Sequence, residues 1–210
     1  SALPISLAFL IPLFFLPNTM EFYAFNKLAL ITIATLLLVI IWVVKTLTGE
    51  DLRIVKSKMD LSIWTLAIIV ILSTVFSIDK TRSLYGSQGK WIGLISLLIL
   101  VAYYYIATPL LATKKSIKFA IYAFATSATV STILALLSYY GIYLGSATYF
   151  RTPTFSPSGN LLSAVFLAAL AVVTSLALIL SEKNQKIKIG LIAGLTINFL
   201  YVALTGIILG

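Results

Sequence analysis

The amino-acid sequence predicts an all-α fold, a polytopic bundle of transmembrane helices. Three observations carry that expectation. Of 210 residues, 60% are hydrophobic and only 10% are charged, whereas a soluble domain is about half apolar and about a quarter charged. Mean hydropathy is +1.09. The apolar residues fall into continuous runs separated by short polar stretches. Continuous runs without period-two alternation are helices rather than barrel strands.

A hydrocarbon core of ~30 Å takes about 20 helical residues to cross, and seven runs reach or approach that length. The first, 2–17, carries Pro4, Pro12 and Pro17. It lacks the basic leader and small-residue cleavage site of a signal peptide. The others are 28–44, 61–78, 91–110, 119–144, 161–180 and 189–209. Together they read as one transmembrane domain over 1–210. The chain starts at Ser1 and stops at Gly210 directly after an apolar run, so it is expected to be a piece of a longer protein, cut at both ends. The 46–60 connection, mixed in charge, is expected to be a short interfacial helix or turn.

Orientation follows from Lys and Arg in the short connections. Ten lie on one side: Lys45, Arg53, Lys56, Lys58, Lys114, Lys115, Lys118, Lys183, Lys186 and Lys188. Five lie on the other: Lys27, Lys80, Arg82, Lys90 and Arg151. The richer side is predicted to be cytoplasmic, which puts the N-terminus inside and the loops around Lys27, 79–91 and 145–160 outside. Trp42, Trp64 and Tyr103 to Tyr105 then sit towards the inner interface, and Trp91, Tyr139, Tyr140 and Tyr143 near the outer one, as aromatic belts do.

Several function classes are excluded or disfavoured. The net charge of +9 is spread over loops and forms no basic face, so nucleic acid is not a partner; the lipid bilayer and its anionic headgroups are. There is no Cys and no His, which removes thiol chemistry, a zinc site and a histidine base from these residues. All six acids, Glu21, Glu50, Asp51, Asp60, Asp79 and Glu182, lie in loops or at span ends. Ion-coupled transporters usually keep carboxylates within the membrane. Gly190, Gly194, Gly206 and Gly210 are spaced for close helix packing.

The outer loops hold the candidate site. Arginine's planar fork matches phosphate oxygens and lysine adds a point charge. Arg82, Lys90, Lys27 and Arg151 supply these groups, and Gly86 and Gly89 let backbone amides approach an anion. Thr152, Thr154, Ser156, Ser158 and Asn160 add neutral groups, with Pro153 and Pro157 stiffening their loop. The same cations also fit simple contact with lipid headgroups.

Three stretches carry a family likeness. They are Pro12 to Pro17 (PLFFLP) followed by Phe25, Asn26 and Lys27; Phe76 to Asp79 leading into Gly86 to Gly93 (GSQGKWIG); and Arg151 to Asn160 (RTPTFSPSGN). In their order the chain resembles the N-terminal half of the O-antigen ligase and polymerase superfamily of membrane glycosyltransferases. Relatives often have Thr-Phe-Gly-Asn-Pro-Asn where this chain has Thr-Phe-Ser-Pro-Ser-Gly-Asn, ending at Asn160. The resemblance implies a multi-pass protein of the bacterial cytoplasmic membrane. It implies transfer of a glycan from undecaprenyl pyrophosphate to an acceptor glycan or lipid A–core on the outer face, in surface polysaccharide and lipopolysaccharide synthesis. No metal, nucleotide sugar or other cofactor is implied. Arg82 and Arg151 would hold the pyrophosphate with Lys90 and Lys27 as helpers, Gly86, Gly89 and Asn160 would shape the loops, and the catalytic base is expected beyond residue 210. Two other readings stay open: a transporter or flippase fragment for a lipid-linked or amphipathic substrate, and a non-enzymatic membrane assembly protein.

Overall fold

A computed structural model describes residues 2–16, 23–49, 57–87, 91–111, 113–143, 145 and 148–209. The described residues are helical throughout apart from turns and one isolated bridge between Ser156 and Gly159. Among the described residues there are eight α-helices: α1 (Ala2–Leu13), α2 (Ala24–Leu47), α3 (Asp60–Val75), α4 (Lys80–Tyr85), α5 (Leu94–Leu110), α6 (Lys114–Tyr139), α7 (Leu161–Ser181) and α8 (Gln185–Leu209). A 3₁₀ turn, Thr148–Arg151, lies between α6 and α7.

Each of the seven predicted runs is helical, with its ends moved for local reasons. The 2–17 run stops being helical at Leu13, one residue after Pro12, which sits inside the helix with no amide to give the Ala8 carbonyl. The 61–78 run ends at Val75, with Phe76 as C-cap. The 91–110 run starts only at Leu94, since Trp91 has a positive φ of 49°. The 119–144 run is shifted to Lys114–Tyr139. Lysine stems can cover apolar surface while the ammonium stays wet, so a helix can begin on lysines; Gly141, at φ 80°, ends the turn that follows. Residues 50–56 of the 46–60 connection lie outside the described residues; α2 runs on to Leu47 and α3 begins at Asp60.

Helices α2, α6, α7 and α8 are long and apolar enough to cross a membrane. Helices α1, α3 and α5 are apolar but have 12, 16 and 17 residues. At 1.5 Å per residue they span about 18, 24 and 26 Å.

The chain forms two compact units, Ala24–Lys114 and Pro4–Tyr23 with Lys115–Gly210. In the first, α5 is the hub and touches α2, α3 and α4. Small residues mark the buried stripes: Ala34 on α2, Ala67 on α3 and Ala107 on α5. Outward faces are apolar; Ile33, Leu36, Ile40 and Val44 of α2 are all exposed, as suits a hydrocarbon solvent.

In the second unit α7 and α8 pack together, and α6 joins them. Ala135 of α6 packs with Ala164 and Ala168 of α7 and Tyr201 of α8, and Ala125 packs with Leu178 and Leu191. Such small residues let backbones approach closely. A polar clasp fixes the register. The Asn198 amide donates to Thr129 Oγ1 (2.9 Å) and to the Gly194 carbonyl (2.8 Å), and its oxygen accepts from Thr132 Oγ1 (2.7 Å). Asn198 is fully buried. Gly194 is part of this contact, since a Cβ there would lie 3.2 Å from Thr129 Oγ1, whereas one at Gly190 or Gly206 would meet no described atom within 4 Å. Gly210 lies outside the described residues. Ser127 ties α6 to α1 by donating to the Phe9 carbonyl.

Candidate functional site

The 79–91 loop joins α3 to α5 and is built around α4. Asp79 is its N-cap, Oδ1 accepting the Arg82 amide at 2.9 Å. This is the usual use of an aspartate before a helical turn. Ser77 Oγ donates to the Asp79 carbonyl (3.1 Å) and Ser83 Oγ to Ser77 Oγ (2.6 Å). The helix is closed by the Gly86 amide on the Arg82 carbonyl at 2.8 Å.

Two glycines bring the returning chain against the end of α4. Gly86 has φ 90°, and a Cβ there would lie 2.5 Å from the Ile92 nitrogen. A Cβ on Gly93 would lie 2.3 Å from the Leu84 carbonyl oxygen. Trp91 sits in the left-handed region at φ 49°, where a bulky residue is strained unless its surroundings hold it. They do: its amide donates to the Ser87 carbonyl at 3.2 Å and its carbonyl accepts from Ser96 Oγ. An open groove of about 680 Å³ results, lined by Asp79, Thr81, Arg82, Tyr85, Gly86, Ser87 and Trp91. The Arg82 side chain is exposed. Gly89 and Lys90 lie outside the described residues.

Lys27 belongs to the same end of the first unit. It sits in the first turn of α2, half-buried, next to buried Asn26. The Phe25 ring packs on Trp91, centroids 5.4 Å apart, which joins the start of α2 to the loop.

Arg151 is in the second unit and is exposed at the end of the 3₁₀ turn. The 145–160 loop is compact. Phe155 is buried and meets Phe15 and Phe150 edge-on at 5.6 and 5.2 Å. Tyr23 lies tilted against Phe15 at 6.3 Å, and burial pushes its phenol above the usual range. Ser156 is buried and shares a hydrogen bond with Ser158 Oγ at 2.7 Å, while Pro157 is also buried. Thr152 and Thr154 stay exposed. Asn160 caps α7, its Oδ1 accepting the Ser163 amide at 2.8 Å. Beneath the loop lies an apolar cavity of about 90 Å³ between Ala135, Leu136, Tyr139, Phe155, Tyr201 and Leu204.

Of the sequence-predicted site residues, Lys27, Arg82 and Gly86 therefore share one end of the first unit, and Arg151 and Asn160 share one loop of the second. Gly93 is a loop-shaping residue that sequence reasoning passed over.

A second charged cluster was also missed. Glu182, the C-cap of α7, takes Lys118 Nζ at 2.8 Å and the Tyr122 hydroxyl on one oxygen. Its other oxygen accepts the Lys183 and Asn184 amides, each at 3.0 Å. Lys118, Tyr122 and the Asn184 amide together hold the Glu182 carboxyl down to about 2. A lone acid among lysines was the available signal. The cluster satisfies itself and leaves no oxygen for a ligand.

Comparison of the chain with protein-family models, with curated proteins and with solved structures finds no match.

Proposed function

We propose that the chain is part of a membrane glycosyltransferase of the O-antigen ligase and polymerase kind. In this reading it crosses the bacterial cytoplasmic membrane seven times with its N-terminus inside. It contributes cationic loops on the outer face to transfer of a glycan from undecaprenyl pyrophosphate to an acceptor sugar. The short helices α1, α3 and α5 cross by tilting little and by adding flanking apolar residues such as Phe76, Ile78 and Ile92, which are highly exposed.

The observation that carries the reading is the groove of the 79–91 loop. An otherwise apolar helical unit ends in a polar concavity with an exposed guanidinium. Outer-face arginines run against the positive-inside preference. A fixed cation of that kind stabilises charge as it develops on a pyrophosphate leaving group. In this reading Arg82 and Arg151 are the principal pyrophosphate-binding cations, each from its own unit, and Lys27 and Lys90 assist. The motif order from Pro12 to Asn160 supports the same family.

The test is glycan transfer by the full-length protein carrying Arg82→Ala and Arg151→Ala. Removing fixed charges that act in the transition state costs about a hundredfold or more in rate, so transfer is expected to fall by at least that factor. Normal transfer in the double variant would overturn the assignment. The absence of native cysteine makes the topology directly checkable. Ser87→Cys is expected to react with an impermeant maleimide in intact cells, and Lys186→Cys only after permeabilisation.

A further inference from the structure

We propose that the groove of the 79–91 loop binds a glycosyl phosphate, with its phosphate on Arg82 and its sugar ring stacked on Tyr85. This deepens, and rests on, the glycosyltransferase reading, which assigns Arg82 to the donor's pyrophosphate and gives the sugar no contact.

The lining is mixed in a way that a bare phosphate site is not. It holds one guanidinium, one carboxylate, two aromatic rings and the hydroxyls of Thr81 and Ser87. Arg82 and Tyr85 are three residues apart on α4, so their side chains lie on one face. Tyr85 is 53% exposed and offers a ring face to the C–H side of a pyranose. Asp79 works against a polyanion but accepts hydrogen bonds from sugar hydroxyls. Its Oδ1 is engaged by the Arg82 amide, and its second oxygen is directed to no partner among the described residues. A neutral polyol with a single anionic end matches this set, with its hydroxyls on the carboxylate and its ring face on Tyr85.

Size and rigidity agree. The groove, at about 680 Å³, falls within the roughly 300–1,000 Å³ of small-molecule clefts. Its far wall, Trp91, is held in a left-handed conformation by hydrogen bonds at both its amide and its carbonyl. The close passage of Gly86 and Gly93 against neighbouring backbone holds the end of α4 against the chain at Trp91 to Gly93. A site fixed before its ligand arrives loses less in ordering on binding.

The chain has three tryptophans, and replacing Trp42 and Trp64 by Phe makes Trp91 the sole reporter. In phosphatidylcholine nanodiscs this protein is titrated with a hexose 1-phosphate, inorganic phosphate, glycerol 3-phosphate and free hexose. The hexose 1-phosphate is expected to change Trp91 emission saturably and to bind about tenfold tighter than the other two phosphates, the range an aromatic contact supplies. Tyr85→Ala and Tyr85→Leu are expected to erase that preference and Tyr85→Phe to keep it; Arg82→Ala is expected to weaken all three phosphates. Equal affinity for the three phosphates, or a preference that survives both Tyr85→Ala and Tyr85→Leu, would overturn the sugar site. Glycan transfer by the full-length protein separates the two claims. Transfer lost in Arg82→Ala but unchanged in Tyr85→Ala leaves the enzyme reading and overturns stacking. Selective binding in a protein whose full-length form transfers nothing supports the site and overturns the enzyme.

Discussion

The 79–91 and 145–160 loops use the same residue types to opposite ends. Both combine an arginine, glycines, small hydroxyls and aromatics. In the first, the polar groups line an open groove and the backbone is the filler: Gly86 and Gly93 press against neighbouring main chain. In the second, side chains are the filler. Phe155, Ser156 and Pro157 turn inward, and Arg151 is left on the surface. Composition alone does not distinguish a groove from a plug. The difference lies in whether an aromatic side chain or a tight glycine passage closes the loop.

The contrast can be broken at two points, and a third change leaves it untouched. The largest effect is expected for Phe155→Ala. Phe155 meets two rings edge-on and is 3% exposed, so truncation should cost about 3–5 kcal/mol. Denaturant unfolding in mixed micelles, with a reporter in the second unit, checks it; a change below about 1 kcal/mol would show that the plug is not held by its core. Gly93→Ala comes next. Its Cβ would collide with the Leu84 carbonyl, and overpacking of this kind costs about 1–3 kcal/mol. Trp91 emission should shift with it, while Gly190→Ala, which meets no described atom, serves as the neutral control. If the two alanines behave alike, the close passage does not organise the groove.

The smallest effect concerns acid. Glu182 has a folded-state value of about 2 against an ordinary 4.5. A depressed carboxyl stabilises the fold fully above its unfolded value and loses that contribution as pH falls from about 4.5 towards 2. Thermal unfolding between neutral pH and pH 3 should therefore show an acid-dependent loss in the native protein that is reduced in Glu182→Gln. Ligand response at the 79–91 groove, which contains neither residue of the Lys118–Glu182 pair, should be the same in both proteins.

Much of the helical skeleton was legible because a bilayer imposes one long apolar run per crossing. The helix ends were less legible. Lys114 and Lys115 look like loop residues, yet they begin α6, since their stems tolerate the interface. Helix α4 is too short to show a hydrophobic period, although Asp79 in front of it is an ordinary cap signal. The polar character of the candidate site was visible in Arg82 and Arg151, and its shape was not. Gly93 matters only because the chain returns past Leu84, a fact that spacing along the sequence does not encode. Asn198 was visible as a lone amide in an apolar run. Its two partners on α6, Thr129 and Thr132, one turn apart, were not.

That amide has a mechanical consequence. All three of its hydrogen bonds are met by Thr129, Thr132 and Gly194. Sliding α8 along α6, or rolling it, would strand a donor and an acceptor where no water can take them. Intermediate positions are therefore higher in energy than the clasped one, and motion between these helices is stepped rather than smooth. The clasp thus sets the register of α8 on α6, and with it the position of the wall that Tyr201 and Leu204 give the cavity beneath the 145–160 loop.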